Sequence, residues 1–173
     1  MVTRACISIN NRCNLNCTYC HFHEKKDYIQ EDNMDVITIL DIIASHIEDN
    51  DIDLFKLGFV GNGEPMLDYE KLKQYIAHIG DYLKSGRIAA YTITNGLLVD
   101  REKLEFFKGY NVNVGFSVDG VPAIHDKYRC GTHERVMSNI ALYKEVNGKY
   151  PSMNCTVGKE TIDNPEATIG FFE

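Results

Sequence analysis

Apolar positions along the chain fall into two alternating rhythms. Short runs dominated by aliphatic and aromatic residues cover positions 5–9, 54–60, 88–93, 112–116 and 153–157, the length and composition of strands buried in a sheet. Between them the spacing changes. Val36, Ile39, Leu40, Ile43 and Ile47 recur at i, i+3, i+4, i+7 and i+11, which is one face of a helix, and Leu72, Tyr75, Ile76, Ile79 and Leu83 repeat the pattern. A short helix is predicted over 100–108, with Gly109 ending it. Val136, Ile140 and Tyr143 mark a further helix with Thr132 as its cap. Asn164-Pro165-Glu166 opens a last one, a capping residue followed by proline at the first helical position.

Strand then helix, five times over, is the signature of parallel strands joined by right-handed crossovers. The predicted fold class is therefore α/β, with helices covering the outside of a curved sheet. Ligands in such folds bind beyond the carboxyl ends of the strands. Those ends carry the three cysteines after the first strand, Gly61-Asn62-Gly63-Glu64-Pro65 after the second, Thr94-Asn95-Gly96 after the third and Ser117-Val118-Asp119-Gly120 after the fourth. The fifth strand itself carries Asn154 and Thr156. Polar and glycine-rich positions thus gather on one rim.

Composition narrows the function classes. At 173 residues the chain is one domain with room for a sizeable core. A net charge of −7 argues against a nucleic-acid footprint. Six cysteines in an otherwise ordinary composition do not make a secreted disulfide scaffold. The first residues contain no apolar signal core, and no stretch reaches the length of a membrane span. These features together predict a protein of a reducing cytoplasm, without a membrane or nucleic-acid partner.

Cys13, Cys17 and Cys20 stand in one short loop at C-x3-C-x2-C spacing. Three thiolates can hold three irons of a [4Fe–4S] cube and leave the fourth iron open to a small molecule. The competing reading is a structural zinc site completed by His21 or His23 as a Cys3His set. Of the other cysteines, Cys6 and Cys155 fall inside strands and read as small buried hydrophobes, while Cys130 reads as an exposed loop residue.

The motifs in order carry a resemblance. Cys13-x3-Cys17-x2-Cys20, with Tyr19 before the last cysteine, resembles the signature of the radical S-adenosylmethionine superfamily. Gly61-Asn62-Gly63-Glu64-Pro65 resembles its Gly-Gly-Glu-Pro motif, with Asn62 in place of a glycine. Ser117-Val118-Asp119-Gly120 followed by His125-Asp126 and Arg129 resembles the subgroup of peptide- and protein-modifying enzymes. That subgroup includes anaerobic sulfatase maturases and ribosomal-peptide maturases, many with a C-terminal SPASM domain. The likeness runs from Cys13 to about Asn164.

The resemblance implies a partial, laterally open (β/α) barrel of six units. Five are counted here, so the chain is expected to be a radical S-adenosylmethionine core over residues 1–173, cut short at its C-terminus and without a SPASM domain. It implies a [4Fe–4S] cluster on Cys13, Cys17 and Cys20 and S-adenosylmethionine chelated to the open iron. An electron from the cluster breaks the sulfur–C5′ bond, and the 5′-deoxyadenosyl radical abstracts hydrogen from a substrate. It implies an electron donor such as flavodoxin or ferredoxin. The residues carried over to S-adenosylmethionine are Tyr19 near the adenine, Gly61, Asn62, Gly63, Glu64 and Pro65 at the methionine amino group, Asn95, and Ser117 and Asn154 at the ribose or carboxylate. Arg129 is a candidate for the methionine carboxylate, or else a surface ion pair with Asp126. Asp119-Gly120 reads as a turn, and His125 as a cap or packing residue. The subgroup favours a peptide or protein substrate. A small-molecule enzyme, a glycyl-radical activase, and a non-catalytic zinc or iron–sulfur module are the alternatives.

Overall fold

The computed structural model describes residues 1–21 and 35–173. Five strands, β1 (Arg4–Ile7), β2 (Phe55–Phe59), β3 (Ile88–Thr94), β4 (Asn113–Ser117) and β5 (Met153–Asn154), form one sheet in the order β1-β2-β3-β4-β5. Every neighbouring pair is parallel. The crossovers hold α1 (Val36–Asp49), α2 (Tyr69–His78), α3 (Gly80–Lys84), α4 (Arg101–Gly109), α5 (Pro122–Tyr128) and α6 (His133–Asn147), with α7 (Lys159–Asp163) and α8 (Pro165–Phe172) after β5.

The alternation along β3 shows which side of the sheet the helices cover. Ile88, Ala90, Thr92 and Thr94 are buried, whereas Ala89, Tyr91 and Ile93 on the opposite face are half-exposed. The buried face meets the apolar stripes of the helices: Leu40 and Ile47 of α1, Leu72 and Ile76 of α2, Leu104 and Phe107 of α4, and Val136 and Ile140 of α6 belong to one continuous core with Leu57, Ala90, Val114 and Phe116. The other face is the inside of a laterally open barrel.

Several boundaries differ from the sequence reading, each for a physical reason. The stripe from Leu72 to Leu83 is two helices, broken at Ile79 (φ −97°, ψ 19°), with Gly80 packed so close to Tyr110 that a Cβ there would lie 2.9 Å from the ring. Gly109 does not stop α4: it is the last helical residue, and Asn111 two positions on takes the left-handed backbone (φ 57°). Thr132 stands at the start of α6 but its hydroxyl donates to Arg129 O at 2.7 Å rather than capping the helix. The fifth strand is two residues long, not five, because the Thr156 N–H turns to the Asp119 carboxylate (2.9 Å). Cys6 is exposed on the inner face beside Tyr91, and Cys155 lies past the end of β5, so neither is a buried strand residue.

Candidate functional site

The strand-end loops enclose a cavity of about 290 Å³. Cys13, Cys17, Tyr19 and Cys20 form one wall. Gly61, Asn62, Gly63 and Glu64 form a second, and Asn95, Ser117 and Arg129 close the third. Two residues expected here are elsewhere. Pro65 is buried where it opens the 3₁₀ turn Pro65–Asp68, and Asn154 is exposed, paired with Ser117 in the sheet register. His21 also lines the cavity, while His23 lies outside the described residues. Leu15, Val60, Ile93 and Thr94 complete the lining.

The glycines have a reason visible in the fold. A Cβ at Gly61 would fall 2.9 Å from Ser8 Cα, and one at Gly63 2.7 Å from Arg12 N. The loop after β2 therefore lies flat on the loop after β1, and side chains at either position would push the cysteine wall away. The Glu64 N–H donates to Arg12 O (2.7 Å), and Asn10 Nδ2 donates to Glu64 O (3.0 Å), fastening the two loops.

Glu64 joins the wall to β3 as well. It is 2% exposed, and its carboxylate accepts from Thr94 Oγ1 (2.7 Å), the Asn95 N–H (2.7 Å) and the Met66 N–H (3.0 Å). Burial pushes this carboxyl up from its ordinary value, and the three hydrogen bonds hold part of that rise back. Asn95 then reaches forward, donating through Nδ2 to Asn14 Oδ1 at 2.8 Å and, at 3.9 Å, to the Cys13 sulfur.

Arg129 does not form the expected surface ion pair with Asp126. Its buried guanidinium, 8% exposed as a residue, grips Asp119 through Nε (2.7 Å to Oδ2) and Nη2 (3.2 Å to Oδ1). Asp126 instead accepts from the His133 N–H (2.8 Å). Asp119 is fully buried and also accepts from Tyr19 Oη (2.8 Å) and the Thr156 N–H, so it is a junction rather than a simple turn residue. The Arg129 guanidinium carbon lies 5.4 Å from the Tyr19 ring centroid. His125, also fully buried, accepts the Asp119 N–H on Nδ1 (3.3 Å) and meets Thr132 Oγ1 through Nε2 (3.1 Å). Since the Thr132 hydroxyl gives its proton to Arg129 O, Nε2 carries the ring proton and the imidazole is neutral. Burial, with Arg129 nearby, lowers its pKa to about 4.

Cys13 and Cys17 meet opposing influences. Burial raises Cys13, and it pushes Cys17 up to about 11, while the Arg129 cation pulls Cys17 down. Metal binding requires the thiolate, so an electropositive centre must itself draw off these protons. The donor set suits a cube rather than one ion. The three sulfurs share a cavity, yet among the described residues no three His, Cys, Asp or Glu side chains converge as ligands of a single ion. Zinc draws its sulfurs to about 2.3 Å from one centre, whereas a cube takes each thiolate on a different iron. Among the described residues no helix is long and apolar enough to cross a membrane.

Comparison with known proteins agrees with this arrangement. The family model described as "Radical SAM superfamily" matches residues 7–172. The chain is 26% identical over 172 residues to the cysteine-type anaerobic sulfatase-maturating enzyme of Clostridium novyi (strain NT), covering 95% of this chain and 46% of that protein. It is 27% identical over 172 residues to the radical SAM cyclopropyl synthase TigE of Paramaledivibacter caminithermalis, covering 90% of this chain and 35% of the other. A solved structure, native anSMEcpe with bound AdoMet, matches the fold with a TM-score of 0.77 at 24% identity, over 98% of this chain and 48% of that one. The chain thus spans less than half the length of these three proteins.

Proposed function

The chain belongs to the radical S-adenosylmethionine superfamily, and from that premise we propose that it cleaves S-adenosylmethionine reductively and takes a hydrogen atom from a peptide or protein side chain. The superfamily uses a [4Fe–4S] cluster and S-adenosylmethionine. Together these supply, when bound, a 5′-deoxyadenosyl radical made by one-electron cleavage of the sulfur–C5′ bond.

The observation that carries the reading is the meeting of Cys13, Cys17 and Cys20 with the loop of Gly61 to Glu64 on one cavity. In this reading the three cysteines hold the cluster. The exposed backbone of Gly61 and Asn62 receives the amino group of S-adenosylmethionine, Ser117 offers a hydroxyl to its polar groups, and Arg129 presents positive charge. Glu64 and Asn95 position the loops from behind. Support for a peptide or protein substrate comes from the sulfatase-maturating relative, and the open side of the barrel gives an extended chain a way in. A one-electron carrier such as flavodoxin or ferredoxin is the electron source in this reading.

Anaerobic reconstitution with iron and sulfide tests the first half. About four irons and four sulfides per chain are expected, the content of one cube, and stoichiometric zinc without sulfide refutes it. Dithionite and S-adenosylmethionine should then release 5′-deoxyadenosine. Deuterium passing into that product from labelled peptides supports the substrate class. Efficient transfer from a free nucleoside or sugar, with none from any peptide, overturns it and leaves the cleavage reading standing.

A further inference from the structure

Asp119 stands behind the cavity and does not line it, yet it ties two of its lining residues, Arg129 and Tyr19, together. Its two carboxylate oxygens accept four hydrogen bonds from three chain segments: Arg129 Nε and Nη2 at the end of α5, Tyr19 Oη in the cysteine loop, and the Thr156 N–H beyond β5. It is completely buried, and so is His125, which holds its backbone N–H in turn. The Thr18 N–H donates to Tyr128 O (3.0 Å), so the cysteine loop is pinned to the same corner a second time.

The fork has a direction. Binding through Nε and Nη2 leaves Nη1 of Arg129 without a partner among the described residues, and Arg129 is part of the cavity wall. An arginine held side-on by a buried carboxylate cannot swing, so its free nitrogen points where the pair directs it. Tyr19 is fixed by the same oxygen, Oδ2, that takes Arg129 Nε, and its ring neighbours both the guanidinium and the Tyr128 ring (centroids 5.6 Å apart).

We propose that Asp119 is a positioning residue for the cofactor cavity: it locks the Arg129 guanidinium and the Tyr19 ring into one rigid wall, so that affinity for S-adenosylmethionine depends on a carboxylate that never touches it. The inference rests on the proposed cleavage reading. An asparagine at 119 keeps the shape but turns an amide N–H toward donors and removes the counter-charge, which frees Arg129 and unhooks Tyr19.

The test uses the full chain, reconstituted anaerobically, with S-adenosylmethionine titrated against the electron paramagnetic resonance signal of the reduced cluster. The readout is binding, not turnover. Asp119→Asn should raise the half-saturating concentration about tenfold or more, on the scale of one lost charge-assisted hydrogen bond, while iron and sulfide stay at wild-type content. Arg129→Lys, which keeps the charge and loses the fork, should give a rise of similar size. The double variant should be no worse than either single, because both break the same unit. Tyr19→Phe should give a smaller rise. A wild-type half-point in Asp119→Asn, or penalties that multiply in the double variant, overturns the proposal. If Asp119→Asn does not fold, Arg129→Lys decides, and an unchanged half-point there overturns it too. A wild-type cluster that does not respond to S-adenosylmethionine refutes the cleavage reading itself, and this inference with it.

Discussion

Glu64 and Asp119 are two buried carboxylates that fasten strand-end loops around one cavity, and they are solved in opposite ways. Glu64 is surrounded by neutral donors, one hydroxyl and two backbone N–H groups. Asp119 has a full counter-charge in Arg129 besides its neutral donors. A carboxylate among neutral donors is drawn toward its protonated form as it is buried, whereas one facing a guanidinium is bound to a partner whose loss strands a charge. The β2–β3 side of the site is therefore a hydrogen-bond brace, and the β4–β5 side is an ionic lock.

Breaking the lock should give the largest effect. Arg129→Ala leaves Asp119 buried and uncompensated, and urea denaturation should show a loss of about 3–5 kcal/mol. A loss under about 1 kcal/mol, the level of exposed pairs, ends the distinction between the two sides.

Next comes pH. His125 belongs to the lock and stays neutral in the fold down to about pH 4, against an ordinary value of 6.5. Between those values the unfolded chain binds a proton that the folded chain does not. Stability should fall as pH drops from 6.5 toward 4, by up to about 3 kcal/mol. His125→Asn should flatten that window.

The brace should show the opposite slope and a smaller effect. The Glu64 carboxyl is raised in the fold, so its contribution is full below the ordinary glutamate value and is lost as pH rises through the folded value. Glu64→Gln should abolish that slope and cost about 1–3 kcal/mol, because its amide N–H must face a donor. If both variants change the pH profile in the same direction, the comparison fails. The smallest effect belongs to the exposed pair of Arg101 and Glu145 (2.5 Å), where Arg101→Ala should leave the urea midpoint unchanged within error.

The brace was more legible in the sequence than the lock. Alternating strand and helix patterns gave the parallel sheet, because each strand and each helix buries one apolar face against the same core. The three cysteines and the Gly61 to Pro65 run announced themselves by local spacing, and the glycines also serve the contact between two loops. The lock left little trace. Asp119-Gly120 reads as a turn from its neighbours, and its partners Tyr19 and Thr156 lie 100 and 37 residues away along the chain. Arg129 and Tyr19 both stand out as cofactor candidates, but no spacing rule pairs an arginine with an aspartate ten residues earlier rather than one three residues earlier. The break at Ile79 was hidden for a similar reason: the apolar stripe runs through it, and the close approach of Gly80 beside it is to Tyr110, thirty residues on.

The strand order has a consequence for how the protein is made. Strands that pair in the order they leave the ribosome can dock one after another, and the first three bring all three cysteines with them. The clasp on the cysteine loop comes from Asp119, Tyr128 and Cys130, whose thiol donates to Asn16 O at 3.3 Å. Once residues 1–100 are made, Cys13, Cys17 and Cys20 are all present, and their loop is held by Glu64 and Asn95 but not yet by the lock. Synthesis must run past residue 130 before the second clasp forms, so these three cysteines are translated long before the whole of their support.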